Sequence, residues 1–405
     1  NSPLQPSPTA ILSSSQSASR PVRKAGGHVS RIYTDWIEKY LESTDHSEAP
    51  RRVRFWCAVS AIAGALRHRV WFDMGDFRWY PNFFIILVGP PAIISKTTTI
   101  SVGMELLERL PYVKFGPDIC TWQSLVQKLE EEQEAVTLSS GESFITSELT
   151  IGSGELGNLL NPHDREMVDL YVTLWDCKKV IRKTTKMNGN ETVENPWVNM
   201  IACTTPSWIA GNFPEYMIGG GFTSRCLFVF ADKKEKYAAY PKLVRRPEVP
   251  KIREKLVEDL AIISNLNGEY RILPSAVEWG TAWYEAHYKT PPQGLADDRF
   301  GGYIARKQTH LHKLAMVLSA SQRDDLTLTV EDLTAANVMI SDLEIDMPQV
   351  FARIGKSEAS LHTDRLMSYV KANGVVTYEQ AYKFLHTHFP AGKDMEDALG
   401  GLLKS

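Results

Sequence analysis

A mixed α/β fold with a buried parallel sheet is predicted by three features of the chain. The run Phe83-Phe84-Ile85-Ile86-Leu87-Val88 is continuously apolar and strand-sized, as a strand covered on both faces must be. It ends in Gly89-Pro90-Pro91, and Lys96-Thr97-Thr98 follows at the head of a helical stretch, giving the order strand, loop, helix. Two later apolar segments, one leading to Glu148 or Glu155 and one running from Trp197 to Cys203, end in polar residues. This is the pattern of strands whose carboxyl ends converge on a site.

The strand, loop and helix have the logic of a phosphate-binding P-loop. Backbone N–H groups of the loop and of the helix N-terminus would wrap a polyphosphate, Lys96 would neutralise its charge, and the Thr97 hydroxyl would take Mg²⁺. In the register G-x-x-x-x-G-K-[ST] the first glycine position falls on Pro90, with Gly89 just before it, and the second on Ser95. Ser95 carries a Cβ, which predicts a slightly wider loop. The plainer alternative is an αβ turn in which Lys96 is simply the first solvated residue of the helix.

At 405 residues the chain has room for two or three domains, and 43% apolar with 23% charged residues is ordinary globular composition. A net charge of −3 excludes no partner class, because basic residues can be confined to one channel. Five scattered cysteines without C-x-x-C spacing indicate neither a disulfide framework nor a zinc site. With no bilayer-length apolar run and no signal-peptide pattern, no membrane association is expected, and a cytoplasmic location is the simplest reading.

In chain order, residues 1–29 are rich in Ser, Pro, Gln and Ala and read as a flexible linker, either behind a missing N-terminal domain or as a natural disordered tail. Residues 30–80 read as an N-terminal helical collar followed by the short hairpin Val70–Phe72 and Phe77–Trp79. The core spans 81–240. Within it Thr121 is a candidate N-cap for a helix from Trp122. Hydrolysis would need a carboxylate at a strand end to orient or deprotonate water. Glu155 is preferred over Glu148 because small residues flank it, although an exposed surface acid is the plain reading of either one.

A hairpin about Asn188-Gly189 follows, its first strand and tip carrying Lys179, Arg182, Lys183 and Lys186 as candidate DNA contacts. An ordinary solvated hairpin is the competing reading. Thr204, at the end of the strand beside the loop strand, is a candidate γ-phosphate sensor, or else a strand-end cap. Arg225, on the Gly219–Gly221 turn, is placed to act on a neighbour's nucleotide. Pro241–Pro250 reads as a linker and 251–355 as an all-α lid, in which Arg306 is a candidate second sensor or part of a solvated face. His310 and His312, two apart, point to different sides of their helix. Residues 360–405 read as a partial winged-helix unit, with Gly374 closing one helix and Thr377 with Gln380 capping the next.

Over about Arg51–Asp232 the chain resembles the P-loop helicase domain of phage, prophage and satellite replication proteins, often fused to a primase-polymerase, and more distantly the superfamily-three, AAA+-like helicases. The phrases PNFFIILVGPP, GELGNLL and GGGFTSR carry the resemblance. It implies Lys96 and Thr97 as the Walker A pair, with Gly89, Pro90, Pro91, Ser95 and Thr98 around ATP and Mg²⁺ on Thr97. It further implies Glu155 as the Walker B acid, Thr204 as sensor, Arg225 as a trans-acting finger, and Lys179–Val193 as the pore contact to single-stranded DNA. The expected assembly is a homohexameric ring, with a primase domain or protein as a candidate partner. Ser95 in place of glycine, one extra loop residue and Gly154 in place of an acid depart from the pattern. Two other readings are an ATP-gated scaffold or replication initiator with little hydrolysis, and a monomeric phosphotransferase.

Overall fold

The computed structural model describes residues 30–185, 189–290 and 292–351, with Ile354, 366–367, 369–370 and 373–385. The predicted linker 1–29, the hairpin tip with Lys186 and most of the predicted winged-helix unit lie outside these residues.

The fold is mixed α/β, as expected. Helix α1 (Trp36–Ser43) starts on the side-chain cap Asp35, and α2 (Arg51–Leu66) follows Pro50. Strands β1 (Val70–Asp73) and β2 (Arg78–Trp79) form the expected antiparallel pair. The loop strand is β3 (Phe84–Val88), its helix α3 (Lys96–Glu108). Helix α4 (Trp122–Glu131) is capped by Thr121 in a reciprocal box with Ser124. Then come β4 (Gln133–Thr137), β5 (Ser143–Ser153), α5 (Arg165–Trp175), the hairpin β6 (Val180–Thr185) and β7 (Gly189–Glu194), β8 (Pro196–Thr204), α6 (Pro206–Asn212) and β9 (Cys226–Phe230).

The central sheet has the order β4-β5-β8-β3-β9. β3 lies between β8 and β9, parallel to both; β5 is parallel to β8; β4 is antiparallel to β5 at the edge. β4 escapes the sequence reading because Gln-Glu-Ala-Val-Thr carries no clear alternation and only Val136 is buried. The four parallel strands therefore end together, at Val88, Ser153, Thr204 and Phe230.

Beyond the sheet run α7 (Pro241–Val244), α8 (Val249–Ile263), β10 (Gly268–Glu269), β11 (Arg271–Ile272), α9 (Pro274–Lys289), α10 (Gly301–Gln322), β12 (Thr327–Leu328) and α11 (Val330–Phe351). A short helix, Tyr378–Leu385, follows with the expected Thr377–Gln380 cap, and Gly374 adopts the expected left-handed turn at φ 73°.

Collar and lid are not separate layers. α2 is buried along nearly its whole length, and its Ser60 carbonyl receives the Asn199 amide of β8 at 3.1 Å. The Trp36 indole donates to the Leu256 carbonyl at 2.8 Å, joining α1 to α8, while β1 pairs with β10. One apolar core runs from Trp36 to Ile354. Past its arginine-bearing first turn α2 is apolar nearly all round and has no polar face to offer solvent, so it becomes the centre of the helical layer and not its rim.

A buried lysine closes the other end of β3. Lys313 of α10 reaches Asn82 Oδ1 at 2.8 Å and the Trp175 carbonyl at 3.3 Å, with its ammonium 3.6 Å from the Trp175 ring centre. Burial pushes its pKa down to about 7, although Cys177 and Asp176 oppose the shift. Above that value the folded chain releases a proton that the unfolded chain keeps up to the ordinary lysine range, so stability rises with pH across the window. Relative to Lys313→Met, the wild type should gain stability between about pH 7 and about pH 9, at up to ~1.4 kcal/mol per unit. Urea unfolding at several pH values measures this, and a constant difference would mean that the lysine stays charged.

Candidate functional site

The site begins with the end of β3. Gly89 donates its N–H to the Thr204 carbonyl at 3.3 Å, and Ala231 donates to the Val88 carbonyl at 2.9 Å, so the loop leaves the sheet clamped between β8 and β9. A Cβ on Gly89 would stand 2.3 Å from the Ala231 carbonyl oxygen, and no side chain fits there. Pro90 and Pro91 carry the chain out of the sheet, and Ala92 and Ser95 turn it back in left-handed conformations, φ 59° and 48°. For residues with a Cβ such conformations cost roughly 1–2 kcal/mol each. Backbone strain of this kind gathers where a loop must hold a ligand.

Ser95 is the N-cap of α3 but supplies no side-chain cap, which leaves the first amides of a thirteen-residue helix without a capping side chain. Lys96 folds back onto the loop, its ammonium 2.7 Å from the Gly89 carbonyl and 3.0 Å from that of Pro90. Burial lowers its pKa below the ordinary value, against the opposing influence of Cys203 and Glu155. Thr97 and Thr98 stand exposed on the first turn.

Two further strands deliver polar groups to the same edge. Thr204 is 1% exposed, and its hydroxyl has no hydrogen-bond partner among the described residues. A buried hydroxyl without a partner is costly, and here it lies one strand from the loop. Glu155 follows the end of β5, exposed, its turn held by Ser153, whose hydroxyl donates to the Glu155 carbonyl at 3.0 Å. Gly154 packs so closely on α3 that a Cβ there would be 3.1 Å from Thr97 Cγ2. An acid at position 154 would crowd Thr97. Cys203, read from the sequence only as a strand end, lies beside Thr97, and burial pushes its pKa up to about 12 against the lowering influence of Lys96 and the Thr97 hydroxyl. Its only signal was its place one residue before Thr204.

Among the described residues, no group of three or more His, Cys, Asp or Glu side chains could hold a metal ion. A cation at this edge would depend on the Thr97 hydroxyl and on oxygens of a bound ligand. A cavity of about 730 Å³ lies elsewhere, between α1, the start of α2 and Arg246.

Three expected site residues stand away from this edge. Glu148 lies in the middle of β5, opposite Trp197 near the amino end of β8, and is 3% exposed. It accepts the His68 N–H at 3.3 Å and faces Arg67 and Arg69 at 3.7 and 3.8 Å, and burial raises its pKa. It is a buried tie between β5 and the turn after α2, not a group beside the loop. Arg306 contacts the Gly302 carbonyl of its own helix at 3.2 Å and senses Arg225 and Asp176, because α10 crosses the amino ends of the strands. Arg225, beside it, is 7% exposed and bidentate to Asp176 at 2.9 and 2.6 Å. So held, its guanidinium is not presented outward to a neighbour.

The hairpin forms as expected and docks on α4 and β4. Glu194 donates its N–H to Gln133 Oε1 at 2.8 Å, and Lys183 lies over the Trp122 ring. Lys179 and Arg182 are exposed. His310 bonds the Ser224 carbonyl whereas His312 packs by Phe72 and Trp79, so the two point apart as expected.

Ser95→Gly should relieve the left-handed strain and raise stability by about 1 kcal/mol, read as a higher Tm. Gly89→Ala should instead lower Tm by displacing the loop from β9.

No protein-family model matches the chain, and no curated protein matches it significantly.

Proposed function

We propose that the chain is an ATP-dependent DNA helicase of a mobile-element replication system, with a P-loop, AAA+-like core that assembles as a homohexameric ring on single-stranded DNA. The observation that carries the reading is the convergence of Lys96, Thr97, Glu155 and the unpartnered Thr204 hydroxyl at one sheet edge, around the uncapped N-terminus of α3. That edge supplies a positive helix end for a polyphosphate and a lysine already inside the loop. Lys96 would exchange the loop carbonyls for the β- and γ-phosphates. Thr97 would hold Mg²⁺, which shields phosphate charge during transfer. Glu155 would orient or deprotonate water, and Thr204 would satisfy its hydroxyl on the γ-phosphate. The exposed Lys179 and Arg182 offer a hairpin contact to the DNA backbone.

Two observations favour the ATP-gated scaffold as a second reading. Arg225 is engaged by Asp176, and Gly154 leaves Glu155 without a preceding acid, an arrangement suited to binding with slow turnover.

ATPase rates with and without single-stranded DNA, alongside mass by light scattering, decide between them. Lys96→Ala and Glu155→Gln should each lower kcat roughly 100-fold or more, Thr204→Val should lower it with little change in ATP binding, and DNA should stimulate the wild type. ATP-driven assembly without turnover would replace the helicase with the scaffold, and failure to bind ATP would remove both.

A further inference from the structure

We propose that the segment from Lys233 to Lys251 is a second binding surface for single-stranded nucleic acid, separate from the β6–β7 hairpin. The segment leaves β9 at Ala231, beside the loop, and crosses α1. Its inward charges fasten it. Lys234 pairs with Glu48 at 2.6 Å, Lys236 with Asp45 at 3.0 Å and Arg246 with Glu42 at 2.9 Å, while Glu48 also accepts the Ala238 N–H at 3.0 Å. What the fastened segment presents outward is mainly aromatic and cationic. Tyr237 is 91% and Tyr240 72% exposed, and Lys233, Lys242, Arg245 and Lys251 are exposed with no ion pair among the described residues. Against them stands the carboxylate of Asp232, just before this stretch and also without an ion pair among the described residues, while Glu235 is held by Arg54 and Glu248 by Arg246.

Exposed tyrosines set among free cations suit a ligand that offers a flat π-face and a phosphate at each repeat. That ligand is a single strand, whose bases are free to stack, whereas a duplex buries them. The rings are three residues apart, at most about 10 Å along the chain. Held by its inward ion pairs, the segment would lose little freedom on binding. Leu243, 79% exposed, and Val244, 58%, would rest against sugar and base edges. Binding here requires no hydrolysis at the loop.

The test is fluorescence anisotropy of the full chain with a labelled oligothymidylate of about 25 nucleotides, without ATP, at several salt concentrations. Tyr237→Ala with Tyr240→Ala should weaken oligothymidylate binding about tenfold or more and leave heparin binding unchanged, because only the first ligand has bases. Lys242→Glu with Arg245→Glu should weaken both and lower the salt slope by about 1.4, the share of two phosphate contacts. All four positions are exposed, so circular dichroism should be unchanged, as should ATPase without DNA. Unchanged oligothymidylate affinity in both double variants would overturn the assignment. So would variants that alter only the oligomeric mass, or only binding to phosphatidylserine vesicles, since these mark a second copy or a membrane as the occupant. Lys96→Ala that keeps its oligothymidylate affinity separates this surface from the ATPase reading.

Discussion

The clamped end of β3 is the constraint on which the rest of the structure depends. A strand with parallel neighbours on both sides has its backbone groups used along its length, and here that bonding continues one residue into the loop, through Gly89 to Thr204 and through Val88 to Ala231. The Ala231 carbonyl lies where a Cβ of residue 89 would be, so glycine alone lets the loop depart in this direction. The start of α3, the inward fold of Lys96 and the approach of Thr97 to Gly154 all follow from that departure. Two left-handed residues with side chains, Ala92 and Ser95, sit within it and are sustained by the surrounding packing.

The two edges of the sheet handle charge differently. At the carboxyl ends the polar groups are under-satisfied, with the Thr204 hydroxyl unpartnered, Glu155 exposed and Lys96 held only by carbonyls. At the amino ends the charged groups face one another or buried acceptors, Glu148 with Arg67 and Arg69, Arg225 with Asp176, Lys313 with Asn82 and Trp175, although Glu148 Oε2 and Trp175 Nε1 are without a hydrogen-bond partner among the described residues. Breaking a buried pair leaves a charge without compensation, whereas an under-satisfied edge gains by meeting a ligand. This asymmetry is the physical ground for looking for chemistry at one edge and cohesion at the other.

Charge is also divided along the surface. A net charge of −3 conceals the outward cations between Lys233 and Lys251 and those at the foot of the hairpin. On the first of these surfaces carboxylates of α1 and the loop after it pair with some of the lysines and leave others free, so the fold selects which cations face solvent.

The sequence by itself determined what is local. The apolar run of β3, the Thr121 and Thr377 caps, the pairing of β6 with β7 and the αL position of Gly374 each follow from a few neighbouring residues whose conformational preferences are strong. It also favoured Glu155 over Glu148, since small residues flank only the former. The tertiary structure alone decided which charged residues share an edge. Arg225, Arg306 and Glu148 carry the same local signals as Lys96 and Glu155, but strand order and the path of α10 send them to the amino ends of the sheet. Nor could periodicity separate α2, buried on every side, from a peripheral helix. Long-range pairing sets those positions, and no short stretch of chain encodes it.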